Sequence, residues 1–157
     1  MLTFTLMSGV EPSSFRAVGV LEGHPELNTI AGYNGLIEKD RDTLLARMEH
    51  WMAGNDGPAQ WFHNFKNTAE KYRLCFVFKV KRGRVGHRFY GYLCHPKPKS
   101  DPGFQLCVLC IYTTKTERET DTAELDRVVQ WSTNPAARKA IAKIYPEYAD
   151  EGGKWKN

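Results

Sequence analysis

Residues 107–112 read CVLCIY, a wholly apolar run that passes without a break into Thr113, Thr114, Lys115 and Thr116. Six consecutive residues of this kind demand a place in a core, as a β-strand. Leaving that core on Tyr112 and then Lys115, the strand sets an aromatic ring beside a cation at the sheet edge. The chain just before it carries two more strands. Leu74, Phe76, Phe78 and Val80 alternate with Arg73, Cys75, Val77, Lys79 and Lys81, the period of a pleated strand. Arg82-Gly83-Arg84 makes a tight turn, because glycine accepts a positive φ without steric cost. The returning strand puts Phe89, Gly91 and Leu93 on one side and Arg88, Tyr90 and Tyr92 on the other. A Pro- and Lys-rich loop over 96–103 leads back to the apolar run. Residues 72–112 therefore predict an antiparallel meander with one face against helices and the other largely open.

Helical periodicity lies on either side. Ile37, Arg41, Leu44, Leu45, Met48, Trp51 and Met52 recur at spacings of three and four, an apolar stripe that Gly54-Asn55-Asp56-Gly57 ends. Pro58 can open a second, shorter helix with Trp61, Phe62 and Phe65 on one face, which would complete a helical hairpin. After the meander, Thr120, Asp121 or Thr122 can cap a helix carrying Leu125, Val128 and Val129. Asn134-Pro135 supplies the N-cap and first turn of another, with Ala137, Ala140, Ile141, Ile144 and Tyr145. Residues 1–8 and 15–21 read as short strands, and 24–35 as an irregular lead-in. The prediction is one α+β domain over 1–150, a helical hairpin packed on a small antiparallel meander sheet with additional C-terminal helices, and a flexible tail over 151–157.

Composition narrows the chemistry. With 157 residues the chain can bury a sizeable core without disulfides or metal. Its four cysteines sit in or beside apolar strands, as expected of free buried thiols in a reducing cytoplasm. No apolar run is long enough to span a bilayer and no leader is evident, which predicts a cytoplasmic protein without a membrane partner. Cys94, His95, Cys107 and Cys110 are zinc-ligand types, but strand positions 107 and 110 point to opposite faces, so neither metal nor cofactor is expected. The formal charge of +4 is modest, yet the bases are clustered. Residues 79–99 contain no acid, whereas 117–126 hold five. Lys79, Lys81, Arg82, Arg84, His87 and Arg88 gather on one hairpin, where Arg and Lys can hold phosphates and Tyr90, Tyr92 and Tyr112 can stack on unpaired bases.

Such groups can also do chemistry. Cleavage of RNA by its own 2′-hydroxyl needs a base, cations for the phosphorane and a proton donor for the leaving 5′-oxygen. Lys79 or Lys81 suits the base if its pKa is depressed. Arg88 and Lys115 suit charge stabilisation, and His87, His95, Tyr90, Tyr92 or Tyr112 the proton. Arg73, Arg82, Arg84 and Tyr92 extend the surface as nucleic-acid contacts. A non-enzymatic module of phage or mobile-element origin, binding nucleic acid or a host protein through the same face, is the alternative.

The order helix, helix, three meander strands, helix, together with QLCVLCIYTTKTERET from Gln105 and HRFYGY around Arg88, resembles the RelE/HigB-like toxin family. In that resemblance Tyr112, Lys115 and Thr116 match the family's final-strand aromatic, lysine and threonine, and Arg88 its strand arginine. Thr114 stands where a second lysine is usual. The resemblance implies a RelE-like fold, a metal-independent endoribonuclease (mRNA interferase), RNA as substrate whether free or on the ribosome, and a cognate antitoxin as partner.

Overall fold

The computed structural model of the protein describes residues 1–116 and 122–149, and the apolar run forms the middle of its longest strand, β6 (Gln105–Lys115). The other strands are β1 (Thr3–Leu6), β2 (Arg16–Glu22), β3 (Phe62–Asn64), β4 (Cys75–Arg82) and β5 (Val85–Cys94). All join one sheet in the order β1-β2-β6-β5-β4-β3. The meander β4-β5-β6 is antiparallel, as expected, and Gly83 at φ 59° turns its first hairpin. β2 lies parallel to β6, with Arg16 opposite Gln105 and Val20 opposite Leu109, so the sheet is mixed.

Helices cover both faces. On one side lie α1 (Thr29–Asn34) and α2 (Glu38–Met52). Leu44, Met48, Trp51 and Met52 of α2 pack on Val18, Val20, Phe76, Phe78, Phe89, Cys107 and Leu109. On the other side, α3 (Thr122–Ser132) and α4 (Pro135–Ala142) bring Leu125, Val128, Trp131, Ala137 and Ile141 onto Val77, Tyr90, Tyr92, Leu106, Val108 and Cys110. The expected open face is therefore absent. A strand buried on both faces has no reason to alternate polar and apolar residues, which is what residues 107–112 had shown. Asn134 caps α4 as expected, accepting from the N–H groups of Ala136 (2.8 Å) and Ala137 (3.0 Å), with Pro135 in the first turn. The other expected caps, Thr120 and Asp121, and the tail over 151–157 fall outside the described residues.

Two further expectations are corrected. No helix follows Pro58. The N–H of Trp61 closes a turn onto the Pro58 carbonyl (2.9 Å), and the chain then pairs with β4 as the short edge strand β3, Phe62 opposite Phe78 and Asn64 opposite Phe76. Phe62 drops into the α2 core and Phe65 into the α3 core, so a sheet with two covered faces outweighed a short helical stripe. The lead-in at 24–35 instead holds α1, six residues long and without a side-chain cap. Its docking comes from Asn28, whose amide donates to the Tyr112 carbonyl (3.0 Å) and accepts from the Tyr112 N–H (2.7 Å).

Candidate functional site

A register slip in the meander decides which side chains can meet. Tyr90 pairs with Ile111 but Gly91 pairs with Leu109, leaving Cys110 without an opposite residue. This bulge turns the end of β6 over by one position. Tyr112 then shares the α1/α2 face with Phe89 and His87, while Thr113 and Lys115 share the α3 face with Arg88. The sequence had gathered all of them at one site; the sheet stands between them.

On the α1/α2 face, His87 Nδ1 and the Tyr112 hydroxyl are hydrogen-bonded at 2.6 Å with nearly parallel rings, 13° apart. Burial raises the Tyr112 pKa above its ordinary value. Arg82, read as a nucleic-acid contact, forms a bidentate pair with the buried Asp40 carboxylate of α2 at 2.8 and 3.0 Å. The bond to Arg82 holds the Asp40 pKa below its ordinary value. These groups are occupied with one another.

The α3 face carries a different constellation. Lys79 of β4 stands directly opposite Arg88 of β5, and Arg88 opposite Thr113 of β6. The Lys79 backbone is pinned on both sides: its N–H donates to Trp61 O and its carbonyl accepts from Arg47 Nη1, both at 2.8 Å. Burial, then the nearby Arg88 charge, lowers its pKa from 10.5 to about 8. Arg88 is itself buried, and its Nη1 donates to the Tyr90 hydroxyl at 3.4 Å. Further along β6, Lys115 Nζ lies 2.9 Å from Oε1 of Glu124, a buried carboxylate on α3. Glu124 Oε2 also accepts from Thr113 Oγ1 at 3.5 Å. Lys115 thus reaches this face already paired.

The sequence missed one member, His63. It follows Phe62 on β3, pairs with Val77, and so lies one step from Lys79 on the same face. Its Nδ1 is 2.8 Å from the Asn64 carbonyl. A carbonyl only accepts, so the proton sits on Nδ1 and Nε2 keeps its lone pair. Burial foremost, with the charges of Lys79 and Arg88, lowers the His63 pKa and outweighs the opposing Asn64 bond. Strand alternation through Phe62-His63-Asn64 was the signal that could have found it; the helical reading after Pro58 concealed it. His63 also lines a cleft of about 350 Å³ between the segment after β3 and the start of α3.

The remaining candidates separate from this row. Tyr90 and Tyr92 are 0 % and 3 % exposed and, unlike Phe65 and Leu125, do not line the cleft beside His63, so neither offers a face to a base. Lys81 and Arg84 are exposed near the hairpin turn, and Arg73, also exposed, pairs with Glu70 at 3.5 Å. The His95 ring is bonded to the Phe104 carbonyl at 3.1 Å. Cys75, Cys94, Cys107 and Cys110 are free thiols, and burial pushes those of Cys75 and Cys94 up to about 12. Thiols held protonated in this way are poor nucleophiles. Cys107 and Cys110 belong to opposite cores. Among the described residues no three His, Cys, Asp or Glu side chains converge as metal ligands, and no helix is long and apolar enough to cross a membrane.

No protein family, characterised protein or solved structure matches the chain. The likeness to RelE/HigB-like toxins rests on the residues of this chain alone.

Proposed function

We propose that the protein is an endoribonuclease whose reactive centre is the row His63, Lys79 and Arg88 on the α3 face. The observation that carries this reading is the pairing of two neighbouring bases with lowered pKa values beside an arginine and a cleft. At neutral pH, His63 is mostly neutral with Nε2 available, whereas Lys79 at about 8 is mostly an ammonium. One is suited to take a proton and the other to give one. His63 Nε2 removes the 2′-hydroxyl proton, and the 2′-oxygen attacks the adjacent phosphorus. Arg88 stabilises the charge gathering on the phosphorane oxygens. Lys79 protonates the departing 5′-oxygen, leaving a 2′,3′-cyclic phosphate. Lys79 is thus the acid, not the base that its sequence context suggested. Glu124 holds Lys115 in place at the border of the row. This chemistry needs no metal ion. In the toxin reading the enzyme acts on mRNA in the cytoplasm, and its antitoxin occludes the cleft.

The test uses purified protein and a labelled single-stranded RNA, beside the same strand with 2′-deoxy substitution at the cut position. The expected products carry 2′,3′-cyclic phosphate ends, and the deoxy strand stays whole. His63→Ala and Lys79→Met should each slow cleavage by roughly a hundredfold or more. Intact RNA with folded wild-type protein would leave the row as a binding surface; equal cutting of the deoxy strand would exclude the 2′-hydroxyl mechanism.

A further inference from the structure

The cleft beside His63 has no task in the proton transfers just described, yet its walls are of two kinds. Phe65 and Leu125, 5 % and 2 % exposed, form an apolar floor. Asn64, Asn67 and Thr68 form a polar rim. Asn64 Oδ1 accepts from the Lys66 N–H at 3.1 Å, which fixes its amide while its NH₂ group remains available. The Asn67 side chain makes no hydrogen bond to any described residue. The Thr68 hydroxyl donates to the Phe65 carbonyl at 2.6 Å and keeps its lone pairs. An apolar floor with donors and acceptors around its edge matches a nucleobase, which is apolar on its faces and codes by hydrogen bonds at its edges.

His63 ties this cleft to the row. It contacts Phe65 edge-on, with ring centroids 4.8 Å apart, and its Nε2 is the proposed acceptor of the 2′-hydroxyl proton. The ribose bearing that hydroxyl must therefore lie over His63, and the base it carries falls toward the floor next to that ring. At about 350 Å³ the cleft is near the lower end of ligand-pocket sizes, roughly 300 Å³. That is room for one unpaired base and too little for a duplex.

Resting on the endoribonuclease reading, we infer that this cleft is a base-discriminating subsite for the nucleotide immediately 5′ of the cut in single-stranded RNA, with the Asn64 and Asn67 amides reading its edge. Amide side chains offer a donor and an acceptor together, so different base edges are bound unequally.

The test is binding, so that it does not depend on turnover. Adenosine, guanosine, cytidine and uridine 3′-monophosphates are titrated into the protein, with inorganic phosphate as control, while the side-chain amide signals of Asn64 and Asn67 and the guanidinium signal of Arg88 are followed by NMR. All five probes should shift Arg88, but only the nucleotides should shift the two amides, with affinities differing among the bases by roughly tenfold. Asn67→Ala should flatten that difference while leaving the phosphate response of Arg88 in place. Nucleotides that behave like inorganic phosphate, or discrimination that survives in both Asn64→Ala and Asn67→Ala, would overturn the subsite. RNA cut without preference at the 5′ nucleotide would overturn it too and leave the cleavage reading standing. Base discrimination in a protein that cuts no RNA would uphold the subsite and overturn the catalytic reading instead.

Discussion

His63 and Lys79 are ordinary residue types made useful by where the backbone holds them. Burial disfavours the charged form of each. Because their ordinary values lie far apart, the same cause leaves the imidazole mostly neutral and the ammonium still mostly protonated at pH 7. Activity measured as kcat/KM should therefore be bell-shaped. The acid limb falls as His63 protonates, below its ordinary 6.5, and the alkaline limb falls above about 8 as Lys79 loses its proton. Lys79→Arg should abolish the alkaline limb along with most of the rate, since a guanidinium keeps its proton. Stability carries the opposite signature. The folded-state pKa of Lys79 lies below its unfolded value, so between about 8 and 10.5 the unfolded chain holds more protons and stability rises with pH. At neutral pH the half-buried ammonium costs up to about 3 kcal/mol. Lys79→Met should thus give a more stable protein, by about 1–2 kcal/mol in denaturant titrations at pH 7, and an inactive one. A destabilised Lys79→Met would mean that the lysine serves packing.

Among the elements, the β5–β6 ladder matters most, because its bulge decides that Lys115, and not Tyr112, shares the face of Arg88. The bulge depends on Gly91, where an added Cβ would meet the Val108 carbonyl oxygen at 2.3 Å, a backbone atom that cannot turn aside. Gly91→Ala should cost several kcal/mol and broaden the amide signals of Val108, Leu109 and Cys110; an unperturbed ladder would mean that the strands have slack. No strand pattern announces such a slip. Alternation carries the period of a strand but not the count of residues opposite it, which is why the meander was legible from residues 72–112 while the company kept by Tyr112 was not. α2 and α4 were legible for similar local reasons, an apolar stripe in one and the Asn134-Pro135 start in the other. β3 and α1 were not, because three and six residues carry too little local preference to define themselves. Edge pairing to β4 and the Asn28 bonds to Tyr112 define them instead. His63 was lost with β3, and the proposed catalytic row was left one member short.

For the whole molecule, the sheet acts as a partition. The residues that the sequence gathers from one meander fall into two unconnected groups, His87, Tyr112 and Arg82 toward α1 and α2, where Arg82 meets Asp40, and Lys79 and Arg88 toward α3. The first group is satisfied internally by a 2.6 Å hydroxyl–imidazole bond and a bidentate ion pair, and such networks stabilise and orient helices without needing a ligand. The second adjoins His63 and the cleft, and burial lowers the pKa of Lys79 to about 8 and that of His63 below its ordinary value. Substitutions should sort by face rather than by sequence distance. Tyr112→Phe removes the bond to His87 and should lower stability by about 1 kcal/mol, yet leave RNA cleavage within about threefold of wild type. His87→Ala should behave alike. Across the sheet, Arg88→Lys keeps a positive charge but loses the planar fork that the proposed phosphorane contact calls for, and should slow cleavage by tenfold or more. A cleavage assay on these three proteins, each first shown to be folded, separates the possibilities. Loss confined to Arg88→Lys places the chemistry on the α3 side. Loss confined to Tyr112→Phe and His87→Ala would move it to the α1/α2 side, where Tyr112, the aromatic matched in the resemblance to RelE/HigB-like toxins, lies, and His63 would then be a structural edge-strand residue.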